Sequence, residues 1–343
     1  MAWSETDPQQ FTCTKIWSET PDAVSFELIA DNPDIELAFK PGQFASLGFM
    51  IEGKTHYRAY SISTTPGQDS LSFTVKRVPD GVVSNYIADH LQPGAKVSVL
   101  KPQGSFNSED CAHGEKVVLI SAGCGITPVM SMAKQWLKQG GVDIEFVHIA
   151  RNVEHTIYHQ ELVELNQQHE AFHLKLLLKE ESPQSYATGR LDVAWLHDLC
   201  PDIAQRSVFV CGPDRFMADV ADYLQQLECD LSRCYQESFV SASTKDDSQA
   251  TAGQQAEVTI HVPGFGVQAQ VASGSQLVDG LEANGLPIIV ACRSGICGSC
   301  KCKVESGEVV STSRETLTDE QVEQGYVLAC STQVMSDVEV SLG

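Results

Sequence analysis

The sequence has 343 residues, enough for two or three domains, and carries a formal net charge of −22 at pH 7. That charge argues against a nucleic-acid partner, because a polyanion would be repelled. It suits either solubility or steering toward a basic patch on a partner protein. The hydrophobic fraction is 42%, and no apolar run reaches the length of a membrane span, so we expect no membrane partner. The first ten residues lack the basic and apolar regions of a signal peptide; with twelve cysteines, this favours a reducing, cytoplasmic location.

Short strands with alternating polarity, separated by turns, are predicted for the first domain, which we place at residues 1–107. Many short strands with regular turn signals indicate an all-β barrel or sandwich, and of these we expect an antiparallel β-barrel. The clearest strands are 24–29, 42–48, 71–76 and 96–100.

A different pattern begins near residue 108, where continuous apolar runs alternate with helical stretches. This alternation predicts an α/β domain with an open parallel sheet, over residues 108–240. The predicted strands are 116–121, 144–149, 174–178 and 207–211, and the predicted helices are 128–138, 158–168, 193–199 and 215–227.

Residues 241–255 are polar and small, which predicts a flexible linker. The third domain, 256–343, begins with a predicted hairpin, 257–262 and 266–271, followed by a helix that ends at Gly285. This domain has about 88 residues, so its core is small, and a bound cluster would help to stabilise it.

Four cysteines in the third domain have the spacing of a plant-type ferredoxin. Cys292, Cys297, Cys300 and Cys330 follow the pattern C-x4-C-x2-C…C, whose thiolates bind a [2Fe–2S] cluster. Disulfides are the first alternative, but they need an oxidising compartment. A zinc site is the second, but it usually has two short C-x-x-C knuckles, and here one is missing. On spacing, Cys302 is not a ligand.

In the barrel, the tetrapeptide Arg58-Ala59-Tyr60-Ser61 offers three kinds of flavin contact. Arg58 can bond a phosphate, Tyr60 can stack on the ring or ribityl portion, and Ser61 can hydrogen-bond near the ring nitrogen that takes the hydride. Further along, Gly81-Val82-Val83-Ser84 precedes a predicted helix at 85–91, and a helix N-terminus suits a pyrophosphate. This turn favours FAD over the alternative, FMN.

In the second domain, the first predicted strand is followed by a glycine-containing loop that opens a helix. Gly123 and Gly125 let the backbone approach a ligand, while Thr127 is a suitable N-cap and Pro128 a suitable first helical residue. The helix dipole then favours the diphosphate of a dinucleotide. Cys211-Gly212-Pro213 ends a later strand, where ligands of such sheets bind.

These motifs, in this order, resemble the ferredoxin–NADP reductase superfamily, in the group with a C-terminal plant-type ferredoxin domain. Within it, finer stretches resemble the NADH oxidoreductases of hybrid-cluster proteins. Reductases of Rieske-type oxygenases share the same domain order. The stretches that carry the finer resemblance are 58–66, 122–132, 316–320 and 325–330.

The resemblance implies a β-grasp fold for the third domain and FAD on the barrel motifs. It implies NADH at Gly123, Thr127 and Cys211, with Cys211 near the nicotinamide, and it places Glu237-Ser238-Phe239 close to the flavin. Ser61 and Cys211 are thereby the candidate catalytic residues. Simple packing remains an alternative for Cys211 and Phe239. Arg151, which could meet a 2′-phosphate, keeps NADPH open as an alternative.

Together the three modules predict an enzyme that takes two electrons from one donor and passes them on one at a time. A nicotinamide gives a hydride, a [2Fe–2S] cluster accepts one electron at a time, and a flavin can do both. The expected electron path is NADH to FAD to [2Fe–2S] to a protein acceptor. The favoured acceptor is a hybrid-cluster protein, and the alternative is a Rieske-type oxygenase. A redox-sensing binding module is the alternative from another class, although a sensor would not need two nucleotide motifs.

Overall fold

The computed structural model describes residues 3, 7–180, 186–239 and 257–342; the predicted linker lies outside these residues. The described residues form two compact units. The first contains residues 9–45 and 60–239, and the second contains residues 46–59 and 257–342 with the few before residue 9. In the part of the chain that is described, no helix combines the length and the apolarity needed to cross a membrane.

The N-terminal strands form an antiparallel six-stranded sheet with the order β4-β3-β6-β1-β2-β5. Aromatic side chains fill its interior: Phe26 and Phe73 are directly opposite in register, and their rings stack at 5.6 Å. One helix lies between the fifth and sixth strands. The elements are β1 Gln9–Thr20, β2 Ala23–Ala30, β3 Phe44–Ile51, β4 Lys54–Ser61, β5 Leu71–Lys76, α1 Val82–His90 and β6 Lys96–Val99.

A parallel six-stranded sheet follows, with the order β10-β9-β8-β7-β11-β12. Chain order runs outward on one side from β7 to β10, then jumps back across β7 to β11, which makes a switch point between β7 and β11. The elements are β7 Lys116–Ala122, α2 Ile126–Gln139, β8 Asp143–Ala150, α3 His159–Gln168, β9 Phe172–Leu178, β10 Ala187–Thr188, α4 Val193–Leu199, β11 Ser207–Cys211, α5 Asp214–Gln226 and β12 Cys234–Glu237.

Alternate residues of the central parallel strands face two separate cores. Leu119 and Phe146 pack with α2 and α3 on one face, while Ile120 and Val147 pack with α4 and α5 on the other. A strand covered on both faces must be apolar at every position, which is why these strands are continuous apolar runs in the sequence.

The C-terminal residues form a five-stranded mixed sheet, β14-β13-β19-β15-β17, and a two-stranded sheet, β16-β18. Helix α6 packs on β13 so closely that a Cβ on Gly280 would lie 2.5 Å from Ile260 Cδ1. The elements are β13 Glu257–Val262, β14 Val267–Ala272, α6 Leu277–Ala283, β15 Lys301–Ser306, β16 Val309–Ser311, α7 Asp319–Glu323, β17 Tyr326–Leu328, β18 Thr332–Val334 and β19 Val338–Ser341. The antiparallel, α/β and ferredoxin-type classes predicted from sequence are confirmed.

Two predicted helix starts are wrong. Helix α1 begins at Val82 with Gly81 as its N-cap, so Val82, Val83 and Ser84 form its first turn and do not precede it. Helix α2 begins at Ile126, because the backbone of Gly125 is already helical, at φ −63° and ψ −5°.

Thr127 is therefore not an N-cap but an interior residue, and its Oγ1 donates to the Cys124 carbonyl at 3.1 Å. Pro128 is the third helical residue, where its missing N–H leaves no intrahelical bond unmade.

Candidate functional site

The loop after β7 lies at the switch point of the parallel sheet, where ligands of open α/β sheets bind. Gly123 has φ +55°, and a Cβ there would meet nothing within 4 Å. A Cβ on Gly125, by contrast, would lie 2.2 Å from the Cys211 carbonyl oxygen. Only glycine fits this position, and the contact brings the ends of β7 and β11 together.

The loop after β11 is equally restricted. A Cβ on Gly212 would lie 2.7 Å from the Phe216 ring and 3.3 Å from Ala122 Cβ. The two loops therefore present mainly backbone next to the N-terminus of α2. Exposed N–H groups and the helix dipole suit the diphosphate of a dinucleotide.

A buried carboxyl group lies beside the predicted nicotinamide contact. Glu237 pairs with Cys211 in the register of β11 and β12, and it is 8% exposed. Burial raises the pKa of Glu237 to about 8, and its Oε2 has no hydrogen-bond partner among the described residues. Burial, followed by the nearby Glu237 and Cys124, raises the pKa of the Cys211 thiol well above its usual value. Cys211 is therefore a neutral thiol at pH 7.

On the flavin side, Ser61 is 4% exposed, and its hydroxyl has no partner in the described chain. Hydrogen bonds link the residue after Ser61 to Gly104, which lies near Glu237. Ile62 N donates to Gln43 O at 2.9 Å, and Gln43 Nε2 donates to Gly104 O at 3.3 Å. A Cβ on Gly104 would lie 3.8 Å from Glu237 Oε1. Buried polar atoms without partners are costly unless a ligand satisfies them, so this region fits a flavin ring.

The first turn of α1 fits a phosphate group. This nine-residue helix has no side-chain cap and no acidic residue in its first turn, and Val82 there is 52% exposed. A Cβ on Gly81 would lie 2.5 Å from Ser84 Oγ and 3.1 Å from the Val78 carbonyl oxygen, so this turn is tightly packed. The free N–H groups of such a turn attract anions.

The remaining predicted flavin contacts are on β4 and after β12. Arg58, Ala59, Tyr60 and Ser61 are the last four residues of β4, and Arg58 Nη1 donates to the Tyr57 carbonyl at 2.7 Å. Phe239, two residues after β12, is 47% exposed.

The four predicted cluster ligands form one buried group. Contacts join the thiol of Cys292 to those of Cys297 and Cys330, and the thiol of Cys300 to that of Cys330. Hydrogen bonds from Cys297 and Cys330 lower the pKa of the Cys292 thiol. All four residues are at most 8% exposed.

Backbone and hydroxyl groups point at these sulfurs. Ser294 N donates to Cys292 Sγ at 3.4 Å, and Cys330 N donates to Cys300 Sγ at 3.5 Å. The Ser299 hydroxyl lies 3.0 Å from Cys297 Sγ. Such donors stabilise thiolates and cluster sulfur.

Positive φ angles shape the cluster loop. Gly295 has φ +74°, and a Cβ there would lie 2.6 Å from Ser313 Cβ. Arg293 has φ +53° and forms ion pairs with Asp279 and Glu282 of α6, which hold the loop against the helix.

Cys302 differs from these four cysteines. It is buried in β15, and burial raises its thiol pKa to about 12. In the described residues, no group of three or more His, Cys, Asp or Glu side chains is arranged to hold a single metal ion. A two-iron cluster instead needs two thiolates on each iron, and four clustered thiols fit that donor set.

Two residues near the site were not singled out from the sequence as chemically active. From the sequence, Cys124 is only a small residue in a turn, and no neighbouring residue indicates a chemical role for it. Glu237 was placed near the flavin only through the family resemblance, because the sequence around a single acidic residue at a strand end does not show that the residue is buried.

Three family models match the chain. They describe an oxidoreductase FAD-binding domain over residues 10–108, an oxidoreductase NAD-binding domain over 119–222 and a 2Fe-2S iron-sulfur cluster binding domain over 260–335. The fold and the matched domains define a flavin- and iron–sulfur-dependent oxidoreductase.

Full-length relatives narrow this class. The chain is 36% identical to the glycine betaine monooxygenase reductase subunit of Pseudomonas aeruginosa over 96% of this chain and 93% of the relative. It is 32% identical to NADH oxidoreductase HCR of Escherichia coli over 96% and 97%. The chain belongs to the ferredoxin–NADP reductase superfamily, in the group with a C-terminal [2Fe–2S] ferredoxin domain.

The solved structure of phthalate dioxygenase reductase has the same fold, with a TM-score of 0.65, 21% identity and 98% of both chains covered. The predictions of FAD, NADH, a [2Fe–2S] cluster and NADH oxidoreductase activity are confirmed, and the binding-module alternative is set aside. The individual ligand residues stay predictions.

Proposed function

We propose that this NADH-dependent iron–sulfur flavoprotein reductase delivers single electrons to the oxygenase component of a Rieske-type oxygenase. One observation favours this acceptor: the higher of the two identities, 36% against 32%, is to a monooxygenase reductase subunit and extends over nearly the whole of both chains. The printed name of this relative, a reductase subunit, supports an acceptor on a separate protein.

The flavin supplies the chemistry of accepting a hydride and releasing single electrons. Arg58 and the first turn of α1, Gly81 to Ser84, would hold its phosphates. Ala59 and Tyr60 would line its ring or ribityl portion, with Phe239 covering the ring. Ser61 would donate its otherwise unsatisfied hydroxyl to the ring.

The loops of the parallel sheet would hold NADH. Gly123 and Gly125 bring backbone to the diphosphate, and Thr127 supplies an N–H in the first turn of α2. Cys211 and Gly212 would meet the nicotinamide. As a buried neutral thiol, Cys211 excludes water and adds no charge beside a ring that becomes cationic when it gives up a hydride.

In the C-terminal domain, the two irons would be ligated by Cys292, Cys297, Cys300 and Cys330. The N–H groups of Ser294 and Cys330 would stabilise the sulfurs, and a more stable reduced cluster has a higher potential.

A hybrid-cluster protein is the second candidate acceptor. The finer sequence motifs favour it, and NADH oxidoreductase HCR is 32% identical over the whole chain. Both acceptors need the same internal electron path, so they differ only in the last step.

The decisive experiment is anaerobic. The full-length protein is reduced with NADH and then mixed in a stopped-flow instrument with the purified oxygenase component or the purified hybrid-cluster protein from the same organism. Cluster reoxidation is followed by absorbance. We expect fast, saturable reoxidation by the oxygenase component.

Reoxidation by the hybrid-cluster protein alone would replace the first candidate by the second. Reoxidation by neither protein, with normal NADH reduction, would refute both acceptors while leaving the reductase activity intact.

A further inference from the structure

We propose that Thr74, Cys124 and Tyr158 form a buried junction between the flavin-binding and nucleotide-binding domains, and that they are positioning residues for hydride transfer. Thr74 belongs to the FAD-binding match, and the other two belong to the NAD-binding match. All three lie in the same compact unit of the chain.

The Thr74 hydroxyl is the centre of this junction. Thr74 is 3% exposed and lies on β5. Its Oγ1 is hydrogen-bonded to Ser25 Oγ at 2.6 Å and to the Tyr158 hydroxyl, and Ser25 in turn donates to Glu19 at 2.9 Å. A threonine hydroxyl has one donor and two acceptor positions, so these two bonds use most of its capacity.

The Thr74 backbone makes a second link. Its carbonyl accepts a bond from Cys124 Sγ at 3.6 Å. Cys124 is the middle residue of the glycine loop, and burial raises its thiol pKa to about 11. The thiol therefore keeps its proton at neutral pH and remains a donor. Thr74 thus contacts both the loop and Tyr158, with Ser63 as a second hydrogen-bond partner of the tyrosine and the backbone of Lys76 as a second partner of Cys124.

Tyr158 reaches this junction through an uncommon backbone conformation. It precedes α3 with φ +60°, although it is a bulky residue, and its side chain is 7% exposed. Left-handed backbone costs about 1 kcal/mol or more for a residue with a Cβ. The surroundings must offset that cost, and the buried bond to Thr74 is a specific interaction that does so.

The junction lies between the two predicted cofactor contacts. Phe73, beside Thr74, forms a bridge to Ile62, which follows Ser61. Cys124 lies between Gly123 and Gly125. Movement at Thr74 would therefore change the position of the loop 123–125, which is proposed to bind the diphosphate, relative to Ser61, which is proposed to bind the flavin ring. Hydride transfer needs the reacting atoms about 3–3.5 Å apart, and a 1 Å error can cost about 10²-fold in rate.

The test uses the full-length, flavin-loaded protein and the variants Tyr158→Phe and Thr74→Val. Each removes one hydroxyl and keeps the shape. We expect the limiting rate of flavin reduction by NADH to fall by about tenfold, with the Kd for NADH changed less than about twofold. The double variant should be about as slow as the slower single variant, because each single variant already breaks the Thr74–Tyr158 bond. Tyr158→Phe also removes the bond to Ser63, and Thr74→Val also removes the bond to Ser25. Thr74→Ser, which keeps the hydroxyl, should restore most of the rate.

Tyr223→Phe is the matched control. Its hydroxyl donates to the Leu191 carbonyl at 3.4 Å, inside the nucleotide-binding domain. This variant should reduce the flavin at the wild-type rate.

Hydrogen exchange supplies a readout independent of turnover. In flavin-free full-length protein, Tyr158→Phe should speed amide exchange at residues 123–126 by about tenfold, and Tyr223→Phe should leave it unchanged. Wild-type reduction rates in both junction variants would overturn the proposal. So would a loss of rate in Thr74→Ser equal to that in Thr74→Val, or unchanged exchange in the loop.

Discussion

In the parallel sheet, the candidate site consists of backbone and glycine contacts, whereas in the cluster loop it consists of cysteine side chains that are the predicted ligands. Gly125 lies against Cys211 because a large core on each face of the sheet fixes both strand ends. The cluster loop has only short flanking strands and relies on positive φ angles and on ion pairs to α6. The first site should therefore persist without its ligand, and the second should depend on it.

The largest expected effect is the loss of a cluster ligand. Cys300→Ser should leave almost no bound iron and loosen the C-terminal domain, while NADH still reduces the flavin. Iron analysis and visible absorbance check this. The matched variant Cys302→Ala, two residues away and equally buried, should retain its iron. Loss of iron in Cys302→Ala would contradict the ligand assignment.

The next effect concerns the glycine loop. Gly125→Ala would place a Cβ 2.2 Å from the Cys211 carbonyl oxygen, and we expect a loss of about 3 kcal/mol in the free energy of unfolding and much weaker NADH binding. Gly123→Ala has open space but φ +55°, so it should cost only about 1 kcal/mol. Denaturant unfolding and NADH titration compare the two. Equal costs would mean that packing at the strand end does not define this site.

A smaller, pH-dependent effect is expected at Glu237. Burial raises its pKa from 4.5 to about 8, so the folded state holds a proton that the unfolded state loses. This contribution to stability is present below pH 4.5 and is lost as pH rises to 8. From pH 5 to pH 8, the flavin-free wild type should lose on the order of 3 kcal/mol relative to Glu237→Gln, which cannot ionise. Parallel pH profiles for the two proteins would contradict the raised pKa.

The smallest effect is expected at Ser61. Its buried hydroxyl has no partner in the described residues, so Ser61→Ala should leave the flavin-free protein as stable as the wild type or up to about 1 kcal/mol more stable. With flavin bound, the same change should slow hydride transfer, because the flavin ring would lose the hydrogen bond that the Ser61 hydroxyl is proposed to donate. Thermal unfolding without flavin and stopped-flow reduction with flavin separate the two effects. A clear destabilisation without flavin would indicate a structural role instead.

Features that depend on spacing or on strand order were predictable from sequence. The spacing of Cys292, Cys297 and Cys300 is a property of the chain itself. The meeting of Gly125 with Cys211 follows from the rule that parallel strands end at one edge. The starts of α1 and α2 were not predictable, because glycine fits several backbone conformations and gives no residue-type signal. Gly81 before α1 is extended, whereas Gly125 before α2 is already helical.

Contacts between distant residues had no local signal at all. Thr74 and Tyr158 are 84 residues apart, and neither lies in a recognisable motif. The burial of Glu237 depends on the packing of β12 beside β11 and on Gly104, which no short pattern encodes.

Electrons are expected to enter at the nucleotide loops and to leave through the four-cysteine cluster. The most direct test is anaerobic stopped-flow absorbance of the wild type and Cys300→Ser mixed with NADH. We predict flavin bleaching followed by cluster reduction in the wild type, and bleaching alone in the variant. Cluster reduction that occurs before flavin bleaching or without it would contradict this order of electron transfer. So would a flavin that NADH does not bleach.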